Sequence, residues 1–241
     1  MSRLTRDKIL APCAALCLAL CATASAAAQE PSPTPATRQQ PDAAKKANAR
    51  PAETARTAAG GEPFDAATAK EMAARCVKLE TEAGTVELEM LAETAPETAR
   101  NFLNLVATGF YDTTTFSRVV RGFVIQGGSV GTRENLTHEL VARSRRTIAD
   151  EPNAVRHVRG VVSMARPETP NGATTSFFIL VGEGAHLDGK FAAFARVRSG
   201  MEAVDAINQA AVEGEKPVKP VKLIRATVAE CAPATKPADD K

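Results

Sequence analysis

Apolar and polar positions alternate in short runs between residues 76 and 230, and the period of this pattern changes along the chain. Residues 76–81 and 85–91 alternate with period two and are separated by Ala83 and Gly84, which predicts two strands joined by a tight turn. Other short apolar runs, bounded by turn residues, predict further strands. We expect these at residues 115–119, 123–126, 161–165, 177–181, 191–197 and 221–230.

Two segments repeat their apolar residues with the helical period instead. Pro96 and Glu97 suit the first turn of a helix, because proline needs no hydrogen bond there and an acidic side chain favours the positive helix end. Apolar residues then recur at helical spacing until Gly109, and a second helix is predicted over residues 201–210. Many short strands and only two helices predict a mainly β fold, a closed eight-stranded antiparallel barrel capped by two α-helices.

A long polar and charged connection, residues 131–159, follows the strand predicted at 123–126. Long ordered loops of this kind commonly frame functional sites. We therefore expect this segment to border a site rather than to build the core.

The first residues have the pattern of a secretory signal peptide. Basic residues precede an apolar run over residues 9–22, and small residues then offer cleavage sites. We expect residues 1–28 to be a signal peptide and the protein to be periplasmic or secreted. An uncleaved anchor is one alternative. Lipidation at Cys21 is another, disfavoured because Leu20 is bulkier than the small residue expected before a lipidated cysteine.

Composition divides the rest of the chain into three parts. Residues 29–72 are rich in Pro, Ala and Thr and contain no aromatic residue before Phe64, which predicts a disordered linker. Residues 73–232 are long enough for one domain with its own core, and residues 233–241 are expected to form a flexible tail.

Charge and residue usage exclude several classes of function. A formal net charge of +2 is too small to indicate a nucleic-acid partner. The three histidines are scattered, so we expect no metal site, and no glycine-rich phosphate loop occurs. Ser163, His186 and Asp188 could be imagined as a nucleophilic triad, but without a nucleophile elbow they are interpreted as polar loop residues. We expect a monomer that does not contact a membrane beyond its signal peptide or a lipid anchor.

Two cysteines remain once the predicted signal peptide is set aside. Cys76 and Cys231 lie at opposite ends of the predicted domain, and an exported pair favours a disulfide. Closure of the barrel would bring the first and last strands together and make this bond geometrically possible. Two unpaired, buried thiols are the alternative.

Residues 116–128 carry the most specific chemistry in the chain. They combine one cation, Arg118, and one amide, Gln126, with apolar residues suited to two short strands. A guanidinium beside an apolar surface indicates a mostly neutral ligand that carries amide groups. Together with residues 176–179 and 187–190, this segment resembles the cyclophilin family of peptidyl-prolyl isomerases, and three separated blocks recur in the family's order.

This resemblance implies an isomerase that assists the folding of proline-containing polypeptide clients without a cofactor. It implies that Arg118 is catalytic. The residues that it implies for substrate binding are Phe123, Val124, Gln126, Ala165, Arg166, Ser176, Phe178, His186, Leu187 and Phe191. Taken alone, the arginine could be a surface ion-pair partner and the phenylalanines could be core, but their joint occurrence favours a site.

Two departures from the family pattern leave other functions open. Ser176 stands where glutamine is usual, and His186 stands where many members carry tryptophan. These changes would suit a holdase that binds proline peptides without turnover. The long Pro/Ala-rich spacer would also suit an envelope or surface attachment protein in which the barrel is only a scaffold.

Overall fold

A computed structural model describes residues 61–232 of the 241-residue chain. The predicted signal peptide, residues 29–60 of the predicted linker and the predicted tail at 233–241 lie outside the described residues. Among residues 61–232, no helix has the length and apolar character that crossing a bilayer requires.

Eight strands form one antiparallel sheet. Each predicted strand is present, with ends that differ by a few residues. The bounds are β1 Arg75–Thr81, β2 Gly84–Met90, β3 Arg118–Val120, β4 Val124–Gly127, β5 Val161–Met164, β6 Phe177–Leu180, β7 Ala193–Ser199 and β10 Leu223–Glu230, while β8 and β9 lie outside this sheet and are described below. The strands are arranged in the order β10-β1-β2-β7-β5-β6-β4-β3. The mainly β prediction is therefore confirmed.

Closure of this sheet is less complete than predicted. The edge strands β3 and β10 are not paired with each other in the ladder, and an isolated bridge joins Thr115 to Lys222 near these edges. The residues just before β10 in the sequence include Pro217 and Pro220, which have no N–H to donate to a neighbouring strand. The architecture is an open, curled half-barrel rather than a closed ladder.

A short hairpin near this gap was missed by the sequence pattern. Strands β8, Val212–Glu213, and β9, Lys216–Pro217, pair only with each other. We call residues 212–217 the 212–217 hairpin. Two-residue strands are too short to show an alternation, so periodicity could not reveal them.

Four α-helices occur within residues 61–232, against two predicted. The expected pair is present as α2, Pro96–Ala107, and α4, Met201–Asn208. Helix α3, His138–Ser144, lies inside the predicted loop and is capped by the Thr137 side chain, which accepts a hydrogen bond from the Leu140 N–H. The prediction of a wholly irregular connection was wrong at this point.

Helix α1, Ala69–Ala73, lies inside the segment predicted as linker. Thr68 and Glu71 form a capping box at its start, and Met72 is fully buried in the main core. The folded part of the chain therefore begins earlier than residue 73.

The long loop also stabilises α2. The residue that precedes this helix, the N-cap Ala95, has no polar side chain to cap it, so the free N–H groups of the first turn need another acceptor. The Glu151 carboxylate supplies it, accepting from the Glu97 N–H at 3.0 Å and the Thr98 N–H at 2.7 Å. A negative charge is favourable at this end of the helix.

The sheet carries apolar residues on both faces, because successive residues of a strand point to opposite sides. Ile125 and Ile179 are cross-strand partners in the main core, which α2 covers with Phe102. Val124 and Leu180 are also partners, but they belong to a second, smaller cluster. We call these two sides the core face and the outer face.

Cys76 and Cys231 are joined in the structure. Their Sγ atoms lie 2.14 Å apart and their Cα atoms 4.8 Å apart, across 155 residues of sequence. The pairing of β1 with β10 brings them together, since Arg75 is the register partner of Glu230. Closing so long a loop stabilises the fold by about 5 kcal/mol on the chain-entropy model.

Candidate active site

Strand register places the predicted arginine, glutamine and phenylalanine in one row. Arg118 on β3 is the direct partner of Gln126 on β4, and Gln126 is the direct partner of Phe178 on β6. Directly opposed residues of an antiparallel pair share a face. Val119, the neighbour of Arg118, belongs to the core-face cluster, so the row lies on the outer face.

The apolar floor beside this row is the outer-face cluster. It contains six residues that the sequence implied for substrate binding: Phe123, Val124, Ala165, Phe178, Leu187 and Phe191. The Phe178 and Phe191 rings meet edge to face, with centroids 5.7 Å apart. The fold thus brings together side chains from β4, from β6, from the residues next to β4 and β5 and from the loop before β7, in a hollow that Arg118 borders.

Arg118 is held at the edge of this hollow by two partners. Its Nη1 lies 3.5 Å from the Gln126 Oε1, while Nε and Nη2 donate to the two carboxylate oxygens of Glu215 at 2.6 and 3.2 Å. The hydrogen bond from Arg118, and then its positive charge, lower the pKa of Glu215. Sequence reasoning did not identify Glu215, which is 97 residues away along the chain.

Three further predicted residues lie around the hollow. The Arg166 guanidinium stacks over Phe191, 5.2 Å from the ring centroid, and its Nε lies 3.7 Å from a carboxylate oxygen of Asp150. The Ser176 carbonyl accepts a hydrogen bond from the Ala165 N–H at 2.8 Å, which fixes the strand on which Arg166 follows.

His186 is exposed and packs against Phe123, with ring centroids 5.3 Å apart. It therefore does not connect Ser163 with Asp188, as the imagined triad would need.

A different histidine makes that connection. The His157 Nδ1 lies 3.0 Å from the Asp188 Oδ1, and its Nε2 lies 2.9 Å from the Ser163 Oγ. Ser163 is 0% exposed, so no substrate reaches its hydroxyl. We interpret this series of hydrogen bonds as a structural link between the loop before β5 and the loop that carries Leu187. The His157 backbone N–H also donates a hydrogen bond to the Asp188 carboxylate, and this bond lowers the pKa of Asp188.

Residues 61–232 contain no group of three or more His, Cys, Asp or Glu side chains placed to hold a metal ion. What the arrangement offers is a cation, an amide and a ring-lined apolar hollow. Such a site can bind an apolar ring next to a peptide bond and donate a hydrogen bond to it.

Comparison with known proteins agrees with this chemistry. The model of the family described as cyclophilin type peptidyl-prolyl cis-trans isomerase/CLD matches residues 76–228. Peptidyl-prolyl cis-trans isomerase A of Dickeya dadantii is 38% identical over 150 residues, which cover 60% of this chain and 77% of the relative. A peptidyl-prolyl cis-trans isomerase of Acinetobacter baylyi is 34% identical over 167 residues, covering 65% of this chain and 87% of the relative.

A solved structure shares the fold. The crystal structure of a cyclophilin-type peptidyl-prolyl cis-trans isomerase of Cryptosporidium parvum, determined in the presence of the dipeptide Ala-Pro, aligns with a TM-score of 0.57 and 25% identity. The alignment covers 65% of this chain and 99% of that one.

Proposed function

This chain belongs to the cyclophilin family and is a peptidyl-prolyl cis-trans isomerase; we propose that Arg118 is its catalytic residue and that its substrates are unfolded or flexible extracytoplasmic proteins. The observation that carries the residue assignment is the row of Arg118, Gln126 and Phe178 on the outer face.

The reaction needs neither a nucleophile nor a cofactor. Rotation about an X–Pro bond has a barrier of about 18–20 kcal/mol, because the C–N bond has partial double-bond character. Twisting the bond localises the lone pair on the prolyl nitrogen. A hydrogen bond from Arg118 to that nitrogen stabilises the twisted form more than either planar form, which is differential binding of the transition state. Lowering the barrier by about 7 kcal/mol accelerates the rotation by roughly five decades.

The apolar floor holds one side of the rotating bond. We propose that the prolyl ring packs against Phe123, Phe178 and Leu187, while the preceding carbonyl swings above Gln126. Both Phe178 and Val124 are anchored in neighbouring strands, so the floor is fixed before substrate arrives. Phe191 and Val124 complete the floor around the ring.

The substrate backbone needs partners as well. Gln126 presents an amide that donates and accepts, and Arg166 is placed where β5 ends. Within the described part of the chain, the backbone N–H and C=O of Arg166 have no hydrogen bond, so they are free to pair with an extended peptide. Ala165 and Ser176 position this strand end, and His186 forms the exposed rim beside Phe123.

An oxidising compartment agrees with the Cys76–Cys231 bond, since disulfides persist in the periplasm and outside the cell. Together with the signal-like N-terminus of the sequence, this bond supports an exported enzyme whose clients are periplasmic or secreted proteins. One chain supplies the whole site, which supports function as a monomer.

The test compares Arg118→Ala with Arg121→Ala in a protease-coupled assay of X–Pro isomerisation. Arg121 is an exposed arginine three residues away that binds the carbonyl oxygens at the end of α4, so it controls for loss of surface charge. We expect Arg118→Ala to lose turnover by two or more decades and Arg121→Ala to retain it. Near-normal turnover in Arg118→Ala would refute the catalytic assignment.

A binding measurement on the wild type separates the isomerase from a holdase. If proline-peptide binding is intact and the rate never exceeds the uncatalysed background, the departures at Ser176 and His186 have converted the site into a binding module. Loss of all proline-peptide binding would instead favour a scaffold role for the fold.

A further inference from the structure

Glu215 reaches the catalytic arginine from the tip of the 212–217 hairpin. Its carboxylate accepts two hydrogen bonds, from Nε and Nη2 of Arg118, in the fork geometry that suits a guanidinium and a carboxylate. Two side chains from distant parts of the sequence are thereby placed in one fixed arrangement at the edge of the apolar hollow.

The hairpin is built so that this carboxylate faces β3. The pair of Glu213 with Lys216 flanks a two-residue turn formed by Gly214 and Glu215. Gly214 has a φ of 64°, a value that residues with a side chain rarely adopt, so glycine favours this turn. The Glu215 carbonyl also accepts a hydrogen bond from the Val119 N–H at 2.8 Å, which attaches the tip to the strand that carries the catalytic residue.

The pairing with Glu215 leaves the Nη1 side of the guanidinium to other partners, and within residues 61–232 only the long contact with Gln126 engages it. An arginine has five N–H donors, and Glu215 engages the Nε and Nη2 side. The opposite nitrogen, Nη1, is the one directed toward Gln126 and the row that leads to Phe178. By binding Nε and Nη2, Glu215 therefore determines that Nη1 is the nitrogen directed toward the hollow.

The main effect of Glu215 on Arg118 is to orient its side chain, and the electrostatic attraction between the two groups contributes less. The Arg118 side chain is 42% exposed and that of Glu215 is 55% exposed, so water screens the attraction between them. A solvated arginine otherwise samples many rotamers, and fixing such a side chain at the moment of reaction has an entropic cost. A partner that fixes it in advance removes this cost from the chemical step.

We propose that Glu215 is a positioning residue for isomerisation: it holds Arg118 so that Nη1 points at the prolyl nitrogen of the bound substrate. This inference rests on the proposed catalytic role of Arg118. It assigns a role in turnover to the 212–217 hairpin, which otherwise pairs only with itself in the sheet topology.

The experiment measures kcat and KM of X–Pro isomerisation for Glu215→Ala, Glu215→Gln and Glu213→Ala. We expect Glu215→Ala to lower kcat roughly three- to tenfold with KM nearly unchanged, since one rotamer-rich side chain becomes free. Glu215→Gln retains one acceptor oxygen and should recover part of the loss. Glu213→Ala removes the same charge from the same hairpin, and we expect it to match the wild type.

A double variant distinguishes failure of this inference from failure of the proposed function. If Glu215 acts through Arg118, adding Glu215→Ala to Arg118→Ala should change the rate no further. A fully active Arg118→Ala would overturn the proposed function itself. An inactive Arg118→Ala with an unchanged or faster Glu215→Ala would overturn only the positioning role, and a faster variant would mean that the carboxylate restrains the cation.

Discussion

The two faces of the sheet are built on different principles. The core face packs large rings against one another: Phe177 meets Phe102 and Tyr111 with centroids 5.3 and 5.4 Å apart. The outer face has a small apolar cluster whose borders are polar, with Arg118 and Gln126 along one side. We therefore expect the core face to contribute most to stability, and the outer face, with its partly exposed polar groups, to serve the proposed binding and catalysis.

Adjacent residues of β6 give the sharpest test of this difference. Phe177 faces the core and is 0% exposed, while Phe178 lies in the outer-face cluster. We expect Phe177→Ala to lower the free energy of unfolding by about 3–5 kcal/mol, because it leaves a cavity among rings. Phe178→Ala should cost less stability and reduce kcat/KM at least tenfold. Denaturant unfolding and the isomerase assay measure both effects, and equal losses of stability would show that the faces do not differ.

The disulfide secures the edge of the sheet where β1 and β10 meet. We expect the double variant Cys76→Ser/Cys231→Ser to be less stable by about 2–5 kcal/mol, since its unfolded chain is no longer cross-linked. Turnover of the folded variant should be unaffected, because the bond joins β1 to the end of β10, whereas Arg118, Gln126 and Phe178 lie on β3, β4 and β6. A variant that keeps its stability but loses turnover would contradict the division between the two faces.

The buried histidine tests how the loops of the outer face are held. His157→Ala leaves Ser163 and Asp188 without their shared partner. We expect a loss of about 1–3 kcal/mol in unfolding free energy, because a buried polar group becomes unsatisfied. His138→Ala, in the exposed first turn of α3, is the matched control and should leave stability unchanged. An equal melting temperature for both variants would mean that the His157 link contributes nothing.

Acid should weaken the same link. The hydrogen bond from the His157 backbone lowers the pKa of Asp188 in the folded protein. The ionised carboxylate therefore stabilises the fold above the unfolded pKa of about 3.9, and this contribution is lost as the pH falls through the lower folded pKa. On acidification, Asp188→Asn should lose less unfolding free energy than the wild type. Glu183→Gln, in an exposed position of the same loop, should lose as much as the wild type. If the unfolding free energy depends on pH in the same way in all three proteins, Asp188 does not make the contribution expected here.

Much of both faces is predictable from local pattern. Strand alternation identified β1 and β2, and the segment 116–128 pointed to the row of Arg118, Gln126 and Phe178, because a strand's period decides which residues share a face. Helix α1 also had a readable signal, since Thr68 and Glu71 have the spacing of a capping box.

Contacts between distant segments were not predictable in this way. Glu215 meets Arg118 across 97 residues, and nothing in the composition of residues 212–217 indicates a site. His157 lies in a loop where no period exists, and only the fold brings it to Ser163 and Asp188. The prolines at 217 and 220, just before β10, were a local signal in the sequence against a fully closed ladder, because proline has no N–H to donate.

A crystal structure with a bound X–Pro peptide measures the central assignment most directly. We expect the prolyl ring to lie on Phe123 and Phe178, with the prolyl nitrogen within hydrogen-bond reach of the Arg118 Nη1, about 3 Å. Glu215 should still bind the opposite edge of the guanidinium. A peptide whose proline lies away from these two rings, or an arginine turned toward solvent in the complex, would contradict the assignment.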